Sequence, residues 1–172
     1  MQKVLTKEFF LRPTLLVAKE LLGKFLVIEV GGSKKEAMIT EVEAYDGPLD
    51  LASHASRGQT PRNKIMFADG GNWYVYFCYG MHYMLNVTIG VKDYPAAILI
   101  RGVEGAKGPG RVTKFFGIDK SFNEQSATKK TGLYIVDKGV VIKPKDIKKT
   151  ARTGVDYAGP IWATKEYKFY IE

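Results

Sequence analysis

Glu41 and Glu43 stand one residue apart in the stretch ITEVEAYDG, residues 39–47. Carboxylates spaced this way have three employments: activating water beside a developing positive charge, holding a divalent cation, or solvating a strand face. A strand sends successive side chains to opposite faces. The pattern therefore predicts Ile39, Glu41, Glu43 and Tyr45 on one face and Met38, Thr40, Val42 and Ala44 on the other. The acids then sit side by side on a segment that otherwise reads as buried.

Other residues suit chemistry near them. PAAILIRGVE is a run that would be wholly buried but for Arg101. In NWYVYFCYGMHYMLNVTIG, Trp73, Val75 and Phe77 alternate with Tyr74, Tyr76 and Cys78; the run breaks at Tyr79-Gly80-Met81 and resumes with Tyr83, Leu85 and Val87. That predicts strand, exposed tip, strand. An aromatic on such a tip is able to enter a base stack and fill the hole left by an extruded nucleotide. The other tyrosines of the hairpin fit core packing equally well.

The elements that must position these groups belong to a chain of 172 residues with 45% hydrophobic content, which fits one domain over residues 1–172. Lysine and arginine number 26 against 18 acids, a formal net charge of +8 that points to polyanionic partners or to simple solubility. Between Gly105 and Arg152 the basic residues far outnumber Asp119, Glu124, Asp137 and Asp146. A single cysteine, Cys78, excludes an internal disulfide framework and CxxC motifs, and a reducing cytoplasmic home is expected, nucleoid-associated in a prokaryote. No apolar run is long enough to span a bilayer, and MQKVLTKEFF lacks the layout of a secretion signal, so no membrane partner is expected.

RPTLLVAKELLG reads as a short helix with Pro13 in its first turn, Leu15, Ala18 and Leu22 on one side, and Gly23 as the stop. KFLVIEV and EAMITEVEAY form a hairpin about Gly31, Gly32 and Ser33. TPRNKIMF reads as a helix entry with Thr60 as cap and Pro61 in first position, and GPGRVTKFFG as a brief helix closed by Gly117. Hairpins without regular strand-helix-strand alternation favour the α+β class: a mainly antiparallel or mixed, curved β-sheet, short surrounding helices and a protruding β-hairpin.

In order along the chain, EVEAYDGPLDLASHASRGQTPRN, MFADGGNWYVYFCYGMHYMLNV, AAILIRGVE, GPGRVTKFFGI and ARTGVDYAG followed by KFYI resemble the alkyladenine (3-methyladenine) DNA glycosylase family. The resemblance covers most of the chain. It implies a single-domain, cofactor-free enzyme that flips damaged purines out of double-stranded DNA and hydrolyses the bond between base and deoxyribose; a monomer without a metal is expected. It makes Glu43 the general base and Glu41 its non-catalytic companion. Arg101 and the main-chain carbonyl of Thr153 become further anchors of the attacking water. Tyr45 and Tyr76 become plates around the flipped base, with His54 beside them, Asn86 excluding normal guanine, and Tyr79 intercalating with help from Met81. Apart from the resemblance, the basic side chains Arg57, Arg62, Arg111 and Lys114 and the backbone amides at Gly108 are candidates for the DNA backbone. The chain departs from the family pattern at the short connection GAK between Glu104 and Gly108.

Residue chemistry agrees with that assignment. Depurination passes through a sugar with oxocarbenium character, which a carboxylate stabilises while taking a proton from water. Alkylated purines are cationic, and tyrosine faces attract them by roughly 0.5 to 2 kcal/mol. No lysine lies in the acid, tyrosine or arginine blocks to form a Schiff base, so hydrolysis without lyase activity is expected. Competing readings are a non-catalytic nucleic-acid-binding module, a metal nuclease using Glu41, Glu43 and Asp50, and a carbohydrate hydrolase.

Overall fold

Glycines at the turns and alternating apolar residues between them give a chain built mostly of hairpins. The computed structural model describes residues 2–172. In chain order the elements are β1 (Lys3–Val4), α1 (Lys7–Phe10), α2 (Thr14–Leu21), β2 (Phe25–Val30), β3 (Ser33–Asp46), β4 (Trp73–Cys78) and β5 (His82–Ile89). They continue with β6 (Ala96–Val103), β7 (Ala106–Lys107), α3 (Pro109–Phe116), β8 (Leu133–Asp137), β9 (Lys148–Thr150), α4 (Gly159–Ala163) and β10 (Lys168–Tyr170). The main sheet runs β1-β8-β2-β3-β6-β5-β4, with β10 beside β3 and β9, and β7 beside β6. Every named pairing is antiparallel, which fits the α+β expectation and removes the mixed alternative.

The β2–β3 hairpin turns through Gly31 and Gly32 at φ 61° and 77°, the doubly left-handed backbone of a tight hairpin turn that glycine adopts without strain. α2 buries Thr14, Val17, Ala18 and Leu21; of the expected side, Ala18 and Leu22 are buried and Leu15 packs against the core, and Pro13 is the N-cap residue. α3 begins at Pro109 behind Gly108 and ends at left-handed Gly117, as its sequence predicts.

Two expectations need correction. TPRNKIMF forms a turn and one 3₁₀ turn, Lys64–Phe67, in place of a helix. The buried Asn63 diverts it: Thr60 N donates to Asn63 Oδ1, while Asn63 Nδ2 donates to the carbonyls of His54 and Gly58. Those bonds hold a compact loop instead of a continuing helical ladder. The second correction concerns β3. Its register against β6 slips between Ile39 and Val42, so Ile39 joins the core with Ala37, Val42 and Ala44, while Glu43 and Tyr45 take the opposite face. Each strand carries one extra residue here, first β3 and then β6, and each reverses its own alternation beyond it. Gly102, paired with Glu41, makes room: a Cβ there would lie 3.1 Å from both Glu41 Cβ and Thr40 Oγ1.

The core lies on one face of β3, β6, β5 and β4, where Val42, Ile98, Ile100, Leu85, Val87, Trp73 and Val75 pack with Val17 and Leu21 of α2 and Val112 and Phe116 of α3. Trp73 is fully buried and its indole N–H donates to Leu133 O at 2.9 Å. The other face of the same strands is free to carry the site.

Candidate active site

Strand pairing draws one row across that second face. Glu43 pairs with Leu99, Leu99 with Asn86, and Asn86 with Tyr74. With strands about 4.8 Å apart, Glu43 and Asn86 lie roughly 10 Å from each other. Together with Tyr45, Tyr76, Met84, Ala97 and Arg101 this row floors a cavity of about 370 Å³. Ala52, Ser53, His54, Arg62 and Met66 wall one side; Thr153, Gly154, Val155 and Tyr157 wall another; Tyr79 and Pro109 also reach it.

Glu43 is fully buried. Its Oε2 accepts from the Tyr45 hydroxyl at 2.9 Å, and its Oε1 accepts from the Thr153 main-chain N–H at 2.7 Å. Arg101 Nε donates to Glu41 Oε1 at 2.9 Å and lies 3.5 Å from Glu43 Oε1. Each of these neighbours is a donor, the pattern of an accepting carboxylate. Burial, then the Glu43 charge, holds the Tyr45 hydroxyl well above its ordinary pKa, so it remains a donor. Thr153 thus meets Glu43 through its amide, a contact that the sequence reading, with its carbonyl, did not contain.

The aromatic residues cluster. The rings of Tyr74 and Tyr76 are 5.1 Å apart, and His54 packs edge-on to Tyr76 at 4.7 Å. His54 Nδ1 is 2.9 Å from the Tyr74 hydroxyl. Desolvation of the ring, and next Arg62, lowers the His54 pKa, while burial raises those of Tyr74 and Tyr76. These rings already hold planar cations, with Arg62 Cζ 5.0 Å from Tyr76 and Arg152 Cζ 4.8 Å from Tyr45. Buried Asn86 donates to Tyr74 O at 3.2 Å.

At the hairpin tip Tyr79 is 84% and Met81 70% exposed. Tyr79 and Gly80 have φ of 54° and 63°, and Met81 N closes the turn on Cys78 O. Arg57, Arg111 and Lys114 are exposed and make no ion pair among the described residues, and Gly108 precedes α3 at φ 107°. Arg62, grouped with them by sequence, is exposed as they are and also lines the cavity.

Sequence reasoning missed Tyr74, Tyr157 and Arg152 as site residues and gave Asp50 only a metal role. The Tyr157 hydroxyl donates to Ala52 O at 2.7 Å across the two walls. Both Asp50 oxygens are held by Arg152, at 2.5 and 2.9 Å, and Glu41 and Glu43 face Arg101. Among the described residues no three His, Cys, Asp or Glu side chains gather as a metal would require. The lysine survey also missed Lys168, which sits opposite Glu43 on β10 and donates to Thr153 Oγ1 at 3.2 Å, outside the cavity lining.

A statistical model of the family Methylpurine-DNA glycosylase (MPG) matches residues 8–106 and 104–172. The chain belongs to the methylpurine-DNA glycosylase family. The two matched stretches meet at the β6–β7 turn, where the short GAK connection lies. Provisionally named 3-methyladenine DNA glycosylases are similar over nearly the whole chain. That of Legionella pneumophila (strain Corby) is 41% identical, covering 98% of this chain and 94% of its own. That of Myxococcus xanthus (strain DK1622) is 38% identical over 97% and 89%, and that of Bdellovibrio bacteriovorus is 38% identical over 98% and 95%. Membership places the chain among hydrolases of N-glycosyl bonds in DNA. No helix of the described residues is long and apolar enough to cross a membrane.

Proposed function

We propose that this chain is a monofunctional DNA glycosylase of base excision repair. It flips alkylated or deaminated purines, the class of 3-methyladenine, 7-methylguanine, hypoxanthine and ethenoadenine, from duplex DNA and hydrolyses the N-glycosidic bond with water activated by Glu43. One observation carries the reading: a fully buried carboxylate opens onto an aromatic-walled cavity. Burying a charge is costly unless something is gained from it, and a carboxylate that faces an open cavity gains most where it acts on what enters, which favours catalysis over a binding module.

In this reading the damaged base enters between Tyr45 and Tyr76 beside His54, and cationic purines gain most from the electron-rich faces. Asn86, about two strands from Glu43, opposes the exocyclic amino group of normal guanine by clash. Glu43 takes the proton of water and stabilises the oxocarbenium-like sugar, while Arg101 and the Thr153 amide hold the carboxylate in place. Cationic purines leave readily; neutral lesions need a proton as well. Lys168, tied to Thr153 Oγ1 and outside the cavity lining, is poorly placed to attack the sugar, which supports hydrolysis without strand cleavage. Tyr79 at the exposed tip fills the vacated stack with Met81 beside it, and Arg57, Arg111, Lys114 and the start of α3 meet phosphates.

The test is Glu43→Gln on duplexes carrying each lesion in turn, with released purines separated after single-turnover incubation. The variant should bind lesion duplex nearly as the parent does and release no base. Equal release rates would refute the proposal.

A further inference from the structure

We infer that the buried Asp50–Arg152 pair is a positioning device for the reaction proposed above, fixing the register in which Glu43, Tyr45, His54 and the Thr153 amide face one another. The inference rests on that reading of Glu43. Both side chains of the pair are completely buried. Arg152 Nη1 and Nη2 donate to Asp50 Oδ2 and Oδ1 at 2.5 and 2.9 Å, a two-pronged geometry that fixes direction as well as distance.

The remaining bonds of the pair go to the segments that deliver the site. Arg152 Nη1 also donates to Ala44 O at 2.8 Å, the carbonyl between Glu43 and Tyr45. The amide of the same Ala44 donates to Tyr167 O at 2.8 Å, so this residue is gripped at both ends. Asp50 Oδ2 accepts from Asp46 N at 3.0 Å, where β3 ends, and Oδ1 accepts from Ala52 N at 3.1 Å, two residues before His54. Arg152 Nη2 reaches Trp162 O on α4 at 3.3 Å. The guanidinium does not line the cavity; it lies between Tyr45 at 4.8 Å and Tyr167 at 5.2 Å and so backs the Tyr45 ring from the protein side. The residue after Arg152 is Thr153, whose amide holds Glu43.

A well-packed apolar pair of similar volume would stabilise a fold as well as a buried ion pair does. It would lack directed bonds to three chain segments at once. Arg152 Nε is left buried without a partner, an orientation in which both Nη atoms are committed to Asp50 and to main-chain carbonyls. Small misplacements of a reacting group cost rate far more than they cost binding.

The experiment compares Arg152→Lys with Leu133→Val, a remote core change of β8, using a duplex carrying 7-methylguanine and measuring Tm, Kd and single-turnover release for each. Lysine keeps the charge against Asp50 but cannot reach Asp50, Ala44 O and Trp162 O together. We expect release to fall roughly 20-fold or more with Kd within about threefold. Leu133→Val, compared at equal Tm loss, should keep nearly the parental rate. A rate for Arg152→Lys close to that of the parent, or equal losses in both variants, would overturn the inference. Where Arg152→Lys does not fold, Asp50→Asn assayed in the cold decides by the same criteria. Glu43→Gln runs alongside: if it releases base, the reading of Glu43 fails; if it is inert while Arg152→Lys is fully active, only the positioning role falls.

Discussion

The Tyr45 hydroxyl donates to Glu43 Oε2 across 2.9 Å, joining two side chains on the same face of β3. Tyrosine 45 therefore has a ring against the cavity and a hydroxyl on the acid. Tyr45→Phe keeps the first and removes the second. A hydrogen bond to a charged group is worth about 1.5–3 kcal/mol, so release should fall roughly tenfold or more while lesion-duplex affinity changes little. Titrating enzyme against a fixed lesion duplex separates the two quantities, and a loss confined to Kd would place the hydroxyl on the base instead.

Arg101 is shared unequally, nearer to Glu41 than to Glu43. Glu41 is partly exposed and Glu43 is not. Glu41→Gln should thus leave release within about threefold, since it takes away a rim charge. Arg101→Met strips the buried acid of its cation and should lower stability by about 3 kcal/mol, with a large loss of release. Excess chelator should leave the parent active. Abolition by chelator, or by Glu41→Gln, would favour a metal-dependent use of the carboxylates.

Tyr79 occupies a left-handed position, φ 54°, ahead of Gly80. Turns of this kind favour asparagine followed by glycine, and a bulky residue there is strained. Tyr79→Asn should therefore raise stability, by about 0.5–1 kcal/mol, while reducing release from paired duplex more than from single strands. Thermal melts and parallel assays on the two substrates check both halves. Equal losses on both substrates would give the tip another task.

His54 titrates below its ordinary value of 6.5 because its ring is desolvated, with Arg62 adding to the effect. The folded chain then binds fewer protons at this site than the unfolded chain just below pH 6.5. Stability contributed by the neutral ring is complete above that value and is lost as pH falls toward the folded pKa. His54→Asn should accordingly flatten the decline of Tm as pH falls below about 6.5. Parallel melting curves for parent and variant would show that the ring does not titrate in that window.

Much of the fold was legible in the sequence because its signals are local. Gly31-Gly32 marks a hairpin wherever it lies, the alternation from Trp73 to Val87 marks two strands about an exposed tip, and Pro109 to Gly117 carries its own start and stop. The site was legible in part: Glu43, Tyr45, His54, Tyr76, Asn86 and Arg101 line one cavity. The side on which β3 presents its acids was legible only downstream of the slip. Alternation alone put Ile39 with Glu43, and the reversal falls where β3 pairs with Gly102, a residue of a strand met some 60 positions later.

What the chain dictates alone is therefore the set of elements and the chemical types available to them. Tertiary structure decided which oxygens meet which donors. Thr153 reaches Glu43 across 110 residues, and Arg152 reaches Asp50 across 102. No periodicity spans such separations, because side-chain pattern reflects the backbone's local repeat, whereas partners at that distance are chosen by how β10 and the loop before it close onto β3.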